Sequence, residues 1–152
     1  MKIYSSAFQD SGQIPSKFTA DGINISPPLG WKFIPDGTQS LALICDDPDA
    51  PAGTWVHWVI VNLPPHTSAL QEGISPVPVL PDGTRQGKND FGKTGYSGPA
   101  PPGGAHRYFF KLYALDVKLQ CDSGITNKEL VAQMRGHIIA EAQLCGTYSR
   151  RL

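Results

Sequence analysis

The sequence predicts a mainly β protein with one helix near its C-terminus, and three observations carry that prediction. Residues 54–63 (TWVHWVIVNL) and 107–115 (RYFFKLYAL) are apolar runs rich in β-branched and aromatic residues, which fit a pleated, buried surface. Gly (16) and Pro (14) make up about a fifth of the chain, the composition of a protein with many turns. A capping signal followed by an apolar stripe occurs only after residue 125. At 152 residues, the chain suits a single domain spanning 1–152, large enough to bury one sizeable core.

In chain order, residues 1–39 are broken by Asp10-Ser11-Gly12, Asp21-Gly22, Pro27-Pro28 and Pro35-Asp36-Gly37, leaving room for short strands only. Residues 40–45 (SLALIC) read as a buried strand, and residues 46–53 as a proline-rich turn. The strand over 54–63 ends at Pro64-Pro65, because proline cannot donate to a β-ladder. Residues 66–106 show little periodicity. A connection that long inside one domain is functional or holds short strands of its own. After the strand at 107–115, Thr126-Asn127-Lys128-Glu129 fits a capping box. Leu130, Met134, Ile138 and Ala142 then form a stripe, and Gly146 is a stop, which predicts a helix of about five turns.

Charge and composition exclude several classes. Thirteen basic and thirteen acidic residues cancel, unlike a nucleic-acid binder or a polybasic membrane anchor. No run of 18 apolar residues occurs, and the first residues lack an apolar stretch of signal-peptide length, so a cytoplasmic protein with no integral membrane association is expected. Cys45, Cys121 and Cys145 are odd in number and fit no zinc spacing, and are read as idle thiols. Two motifs mislead. Residues 87–94 match the phosphate-loop pattern, but the Gly/Pro-rich stretch after them forbids the helix that such a loop needs. Ser97 lacks the strand-to-helix turn of a nucleophile elbow.

Two other motifs carry chemistry. In Asp47-Pro48-Asp49-Ala50-Pro51, two aspartates flank a rigid turn, and Trp55 and His57 follow on the next strand. Simple alternation puts Trp55, His57, Val59 and Val61 on one face. An imidazole there needs partners for both nitrogens, and Asp47 is expected to orient and charge His57, leaving Asp49 for a cationic group or a turn hydrogen bond. In the second motif, residues 96–108, prolines and glycines lead into His106 and Tyr108, which share a strand face while Arg107 points away. A rigid rim, two imidazoles, a phenol and loop N–H groups suit a small anion. Asp47, His57 and His106 would also be the set for a hydrolytic or two-His-one-carboxylate metal site, but no activated nucleophile accompanies them. The reading is therefore non-enzymatic, with no cofactor.

These two motifs, with His57-Trp58, Asn62-Leu63-Pro64, Asn24-Ile25-Ser26-Pro27-Pro28-Leu29 and Asn89-Asp90-Phe91-Gly92, resemble the phosphatidylethanolamine-binding protein (PEBP) family over nearly the whole chain, closest to its short bacterial Raf-kinase-inhibitor-like branch. The resemblance implies a large central antiparallel sheet packed against a smaller sheet, with a C-terminal helix. It implies a small pocket for phosphate or a phosphorylethanolamine headgroup at Asp47, Asp49, Trp55, His57, Pro101, His106 and Tyr108, with Gly98 and Gly104 for close backbone approach. It also implies a cis Ala50–Pro51 bond. It allows a protein partner, a kinase or protease inhibited through the pocket rim, and a homodimer.

Overall fold

The computed structural model describes residues 1–122 and 124–150. Among these residues, nine strands and one α-helix follow in the order β1 (Lys2–Tyr4), β2 (Gly12–Gln13), β3 (Leu29–Lys32), β4 (Ser40–Asp47), β5 (Trp55–Leu63), β6 (Ala69–Leu70), β7 (Arg85–Gln86), β8 (Ala105–Leu115), α1 (Asn127–Met134) and β9 (Ile138–Ser149). They form a six-stranded sheet in the order β2-β9-β8-β4-β5-β7 and a three-stranded sheet, β1-β3-β6. Every pairing is antiparallel except that of the two-residue β2, which runs parallel to β9. The predicted architecture of a large sheet backed by a smaller one is the observed one.

β4 lies near the middle of the large sheet and is buried on both faces, which explains its unbroken apolar run. On one side Leu41, Leu43, Trp58, Ile60, Phe110 and Leu112 pack against Ile3, Leu29, Trp31 and Leu70 of the small sheet. On the other, Ala42, Ile44, Val59 and Val61 are covered by Leu119, Ile125 and the α1 residues Leu130 and Met134.

The helix begins as predicted: Glu129 donates its N–H to Thr126 Oγ1, and the Glu129 carboxylate reaches back to the Thr126 N–H. Its length does not hold. It ends at Met134, the chain turns at Gly136 (φ 79°), and residues 138–149 form β9 along the whole of β8. The predicted stripe was ambiguous, because a spacing of four residues is one helical turn but also two strand repeats. From Ala140 onward the burial alternates: Ala142, Leu144, Gly146 and Tyr148 turn inward, and Glu141 and Gln143 outward. Gly146 is therefore no helix stop. It sits mid-strand, where a Cβ would come within 2.5 Å of Ile14 and 2.8 Å of Phe8.

β5 departs from simple alternation. Cys45 opposes Trp58 and Asp46 opposes Val56, so His57 is the extra residue of a β-bulge. Beyond it the faces exchange: Val56, Val59 and Val61 lie on the α1 side, and Trp58 and Ile60 face the small sheet. The expected grouping of His57 with Val59 and Val61 is corrected by this bulge.

Candidate functional site

The end of β4, the start of β5 and the start of β8 meet at one end of the large sheet. There the 48–54 turn, the Asn89–Gly92 turn and the proline loop before β8 surround a cleft of about 300 Å³. Asp47, Trp55, His57, Pro101, His106 and Tyr108 line it, as the sequence reading expects. Phe91 also lines it, edge-on to Trp55 (5.6 Å) and to His57 (5.3 Å), with Pro51, Pro102 and three alanines completing apolar walls. In the sequence, Asn89-Asp90-Phe91-Gly92 points to the site through the family resemblance alone. A lone aromatic in a Gly-bounded polar turn was the signal that could have placed Phe91 at the site.

The bulge explains why His57 reaches the cleft. It turns the ring toward Tyr108, where the two rings meet edge-on at 5.2 Å. On β8, His106 and Tyr108 alternate inward as predicted, and Phe110 and Leu112 continue that face into the core.

The hydrogen bonding corrects the expected pairing. Asp47 Oδ2 accepts from His106 Nδ1 at 2.7 Å, not from His57. His57 Nδ1 donates to the Ser97 carbonyl at 2.6 Å. The reason is register: Asp46 opposes Phe109 across β4 and β8, which brings Asp47 beside the His106–Tyr108 stretch. Asp49 is not free either. It takes both the side chain and the N–H of Arg107 at 2.8–2.9 Å and does not line the cleft. Those bonds lower its carboxyl to about 2. Gly98 and Gly104 also lie outside the lining. The Gly98 N–H is taken by Asn24 Oδ1, and Gly104 stands in open space at φ 69°. The Ala50–Pro51 bond is trans, contrary to expectation. The turn closes without a cis bond, because Asp47 Oδ1 accepts the Asp49 N–H and Gly53 donates to the Ala50 carbonyl.

Each imidazole is therefore held by Nδ1, and neither Nε2 has a hydrogen-bond partner among the described residues. Burial lowers the His57 pKa against the opposing pull of Ser97 and Asp47. Burial first, and then the nearby Asp47 carboxylate through its charge and a weak hydrogen bond, raises that of Tyr108, whose buried hydroxyl makes no well-formed hydrogen bond among the described residues. Among the described residues no Lys or Arg lines the cleft. Asp47 is engaged with His106 rather than converging with both imidazoles on a shared point, and among the described residues no group of three or more His, Cys, Asp or Glu could hold a metal ion. The cysteines are unbridged. Among the described residues no helix is long and apolar enough to cross a membrane.

The fold and sequence recur in known proteins. A family model for phosphatidylethanolamine-binding protein matches residues 4–149. A UPF0098 protein of Methanothermobacter thermautotrophicus is 52% identical over 150 residues, covering 99% of each chain. The crystal structure of a PEBP homologue from Chlamydia trachomatis superposes with a TM-score of 0.90 at 42% identity, covering 99% of this chain and 97% of that one. E. coli YbcL, a member of the mammalian PEBP family, superposes with a TM-score of 0.91 at 32% identity, covering 99% of this chain and 98% of its own. The chain belongs to the phosphatidylethanolamine-binding protein family.

Proposed function

We propose that the protein is a non-enzymatic binding module whose cleft takes inorganic phosphate or a small phosphorylated group such as a phosphorylethanolamine headgroup. One observation carries this reading: two imidazoles are anchored through Nδ1, and among the described residues both Nε2 atoms and the Tyr108 hydroxyl beside them are left without a well-formed hydrogen bond. A phosphoryl group offers three or more acceptor oxygens; the Tyr108 hydroxyl can donate to one as it stands, and each Nε2 donates to another once its ring takes up a proton. Asp47 opposes an anion by its charge. A proton on an imidazole offsets that charge, and the ammonium of a zwitterionic ligand would be attracted to it. The non-enzymatic part of the reading rests on how the groups are engaged. Asp47 serves His106, and the Ser97 hydroxyl accepts from Asn89 instead of facing a base.

A second reading is favoured by the rim. Phe91 is 42% exposed at the cleft mouth beside Pro51 and Pro102, an apolar border that a protein surface could cover. In that case a phosphorylated side chain of a kinase or protease partner would enter the cleft, and the protein would act as its regulator.

Histidine-ring NMR tests the first reading. The four histidines are His57, His66, His106 and His137. Titration with phosphate, phosphorylethanolamine and phosphotyrosine is expected to move His57 and His106 together while His66 and His137 stay still. No response at millimolar ligand overturns the proposal. A stoichiometric partner retained from the protein's own cell extract and released by phosphate would favour the regulator reading.

A further inference from the structure

We infer that Asn89 and Asp90 are the positioning residues of the cleft, setting the place of the His57 ring without touching the ligand. The inference rests on the binding reading above and adds to it the device that makes one imidazole usable.

Asn89 is 4% exposed, and its side chain uses all of its hydrogen-bonding capacity. Its amide nitrogen donates to the Gly95 carbonyl and to Ser97 Oγ, both at 3.0 Å. Its oxygen accepts the N–H groups of Phe91 (2.9 Å) and Lys93 (3.2 Å). One side chain thus ties the turn that presents Phe91 to the segment that seats His57. That seat is double: the Ser97 carbonyl takes His57 Nδ1, and the Ser97 N–H returns to the His57 carbonyl at 3.1 Å.

Asp90 acts from the other side. Its Oδ2 accepts the Val56 N–H at 2.7 Å, and its own N–H donates to the Val56 carbonyl at 2.9 Å. Val56 is the residue just before the bulge, beyond the two-residue reach of β7 along β5. Asp90 therefore stands in for a missing ladder partner at the one place where β5 must leave regular pairing for His57 to turn toward the cleft.

The two neighbours divide the task. Asp90 holds the bulge that aims the ring, and Asn89 holds the carbonyl that fixes its tautomer with Nδ1 protonated and Nε2 open. His106 depends on neither, because its orientation comes from Asp47. The couple therefore acts on one imidazole and not the other. That asymmetry separates positioning from general support of the fold.

The experiment is ring nitrogen NMR of His57 and His106 in the wild type, Asn89→Ala, Asp90→Ala and Asp90→Asn, first without ligand and then with inorganic phosphate. Thermal unfolding is recorded alongside. In the alanine variants the His57 nitrogen shifts are expected to move toward a mixture of tautomers, while those of His106 keep their wild-type values. Asp90→Asn retains an acceptor for the Val56 N–H and is expected to restore the His57 signature. Phosphate affinity is expected to fall about tenfold in the alanine variants, in line with losses on removing outer partners that orient a ligating imidazole. A folded alanine variant with unmoved His57 shifts overturns the inference, as does equal movement of His57 and His106. If Asn89→Ala fails to fold, Asp90→Ala against Asp90→Asn decides by the same criterion. The tautomer readout needs no ligand, so a wild type that ignores phosphate sinks the binding proposal while leaving this inference to its own result.

Discussion

Asp47 with His106 and Asp49 with Arg107 are chemically similar pairs that differ in depth. The Asp47 and His106 side chains are 5% and 9% exposed, whereas Asp49 and Arg107 are 30% and 55% exposed. Removing one partner of a buried pair leaves the other without water or protein to satisfy it. His106→Ala is expected to cost about 2–3 kcal/mol in urea unfolding, the scale of a hydrogen bond to a charged group left unmade. Asp49→Ala is expected to cost much less, because solvent replaces what is lost. Equal losses would mean that Asp47 finds water once the ring is gone. The residue types of the site were legible in the sequence, and six of the nine candidates line the cleft. Their pairing was not. His57 is the nearer imidazole along the chain, but the β4–β8 register delivers His106, and a single sequence does not display long-range register.

At the scale of elements, β9 shows where local pattern stops being informative. The capping box marked the start of α1 correctly, because a cap is satisfied by residues three apart. The stretch after it kept a four-residue apolar spacing, which both periodicities share, and only pairing along β8 decides between them. The β5 bulge escaped for a related reason: the strand signal survives one extra residue, but the face assignments from Trp58 to Val61 exchange, until a second irregularity near Asn62 returns Leu63 to the small-sheet side. Gly146 gives a test at this scale. As a helix stop, an alanine there would meet open space. In β9 its methyl group would press into Ile14 and Phe8. Gly146→Ala is therefore expected to destabilise the protein by about 1–3 kcal/mol, the usual cost of overpacking a core. A thermal midpoint equal to the wild type's would show that the Ile14 and Phe8 side chains yield freely.

Over the whole molecule, the cleft couples protonation to stability, and the proposed anion would couple to both. Burial lowers the His57 pKa in the folded protein, so the unfolded chain takes up that proton first as the pH falls. The His57 contribution is thus fully present above its ordinary value near 6.5 and is lost as the pH drops through that value toward the folded one. The Asp49 contribution has the opposite chemistry but is also lost on acidification, in a separate window between 3.8 and about 2. Between about pH 7 and 5 the His57 loss can therefore be followed without interference from Asp49. An anion bound in the cleft, as proposed, would change its size. It prefers the protonated ring, so bound anion raises the His57 pKa and opposes the loss, and by mass action its stabilising effect grows as the pH falls. Sulfate is the suitable probe, because its own charge stays constant across the window. Thermal unfolding is expected to show a larger sulfate-induced rise in midpoint near pH 5.5 than near pH 7.5 in the wild type. In His57→Gln, which cannot take up the proton, that excess should shrink. An equal rise at both pH values in the wild type would separate the anion from His57, and a full excess in His57→Gln would assign the coupling to another group.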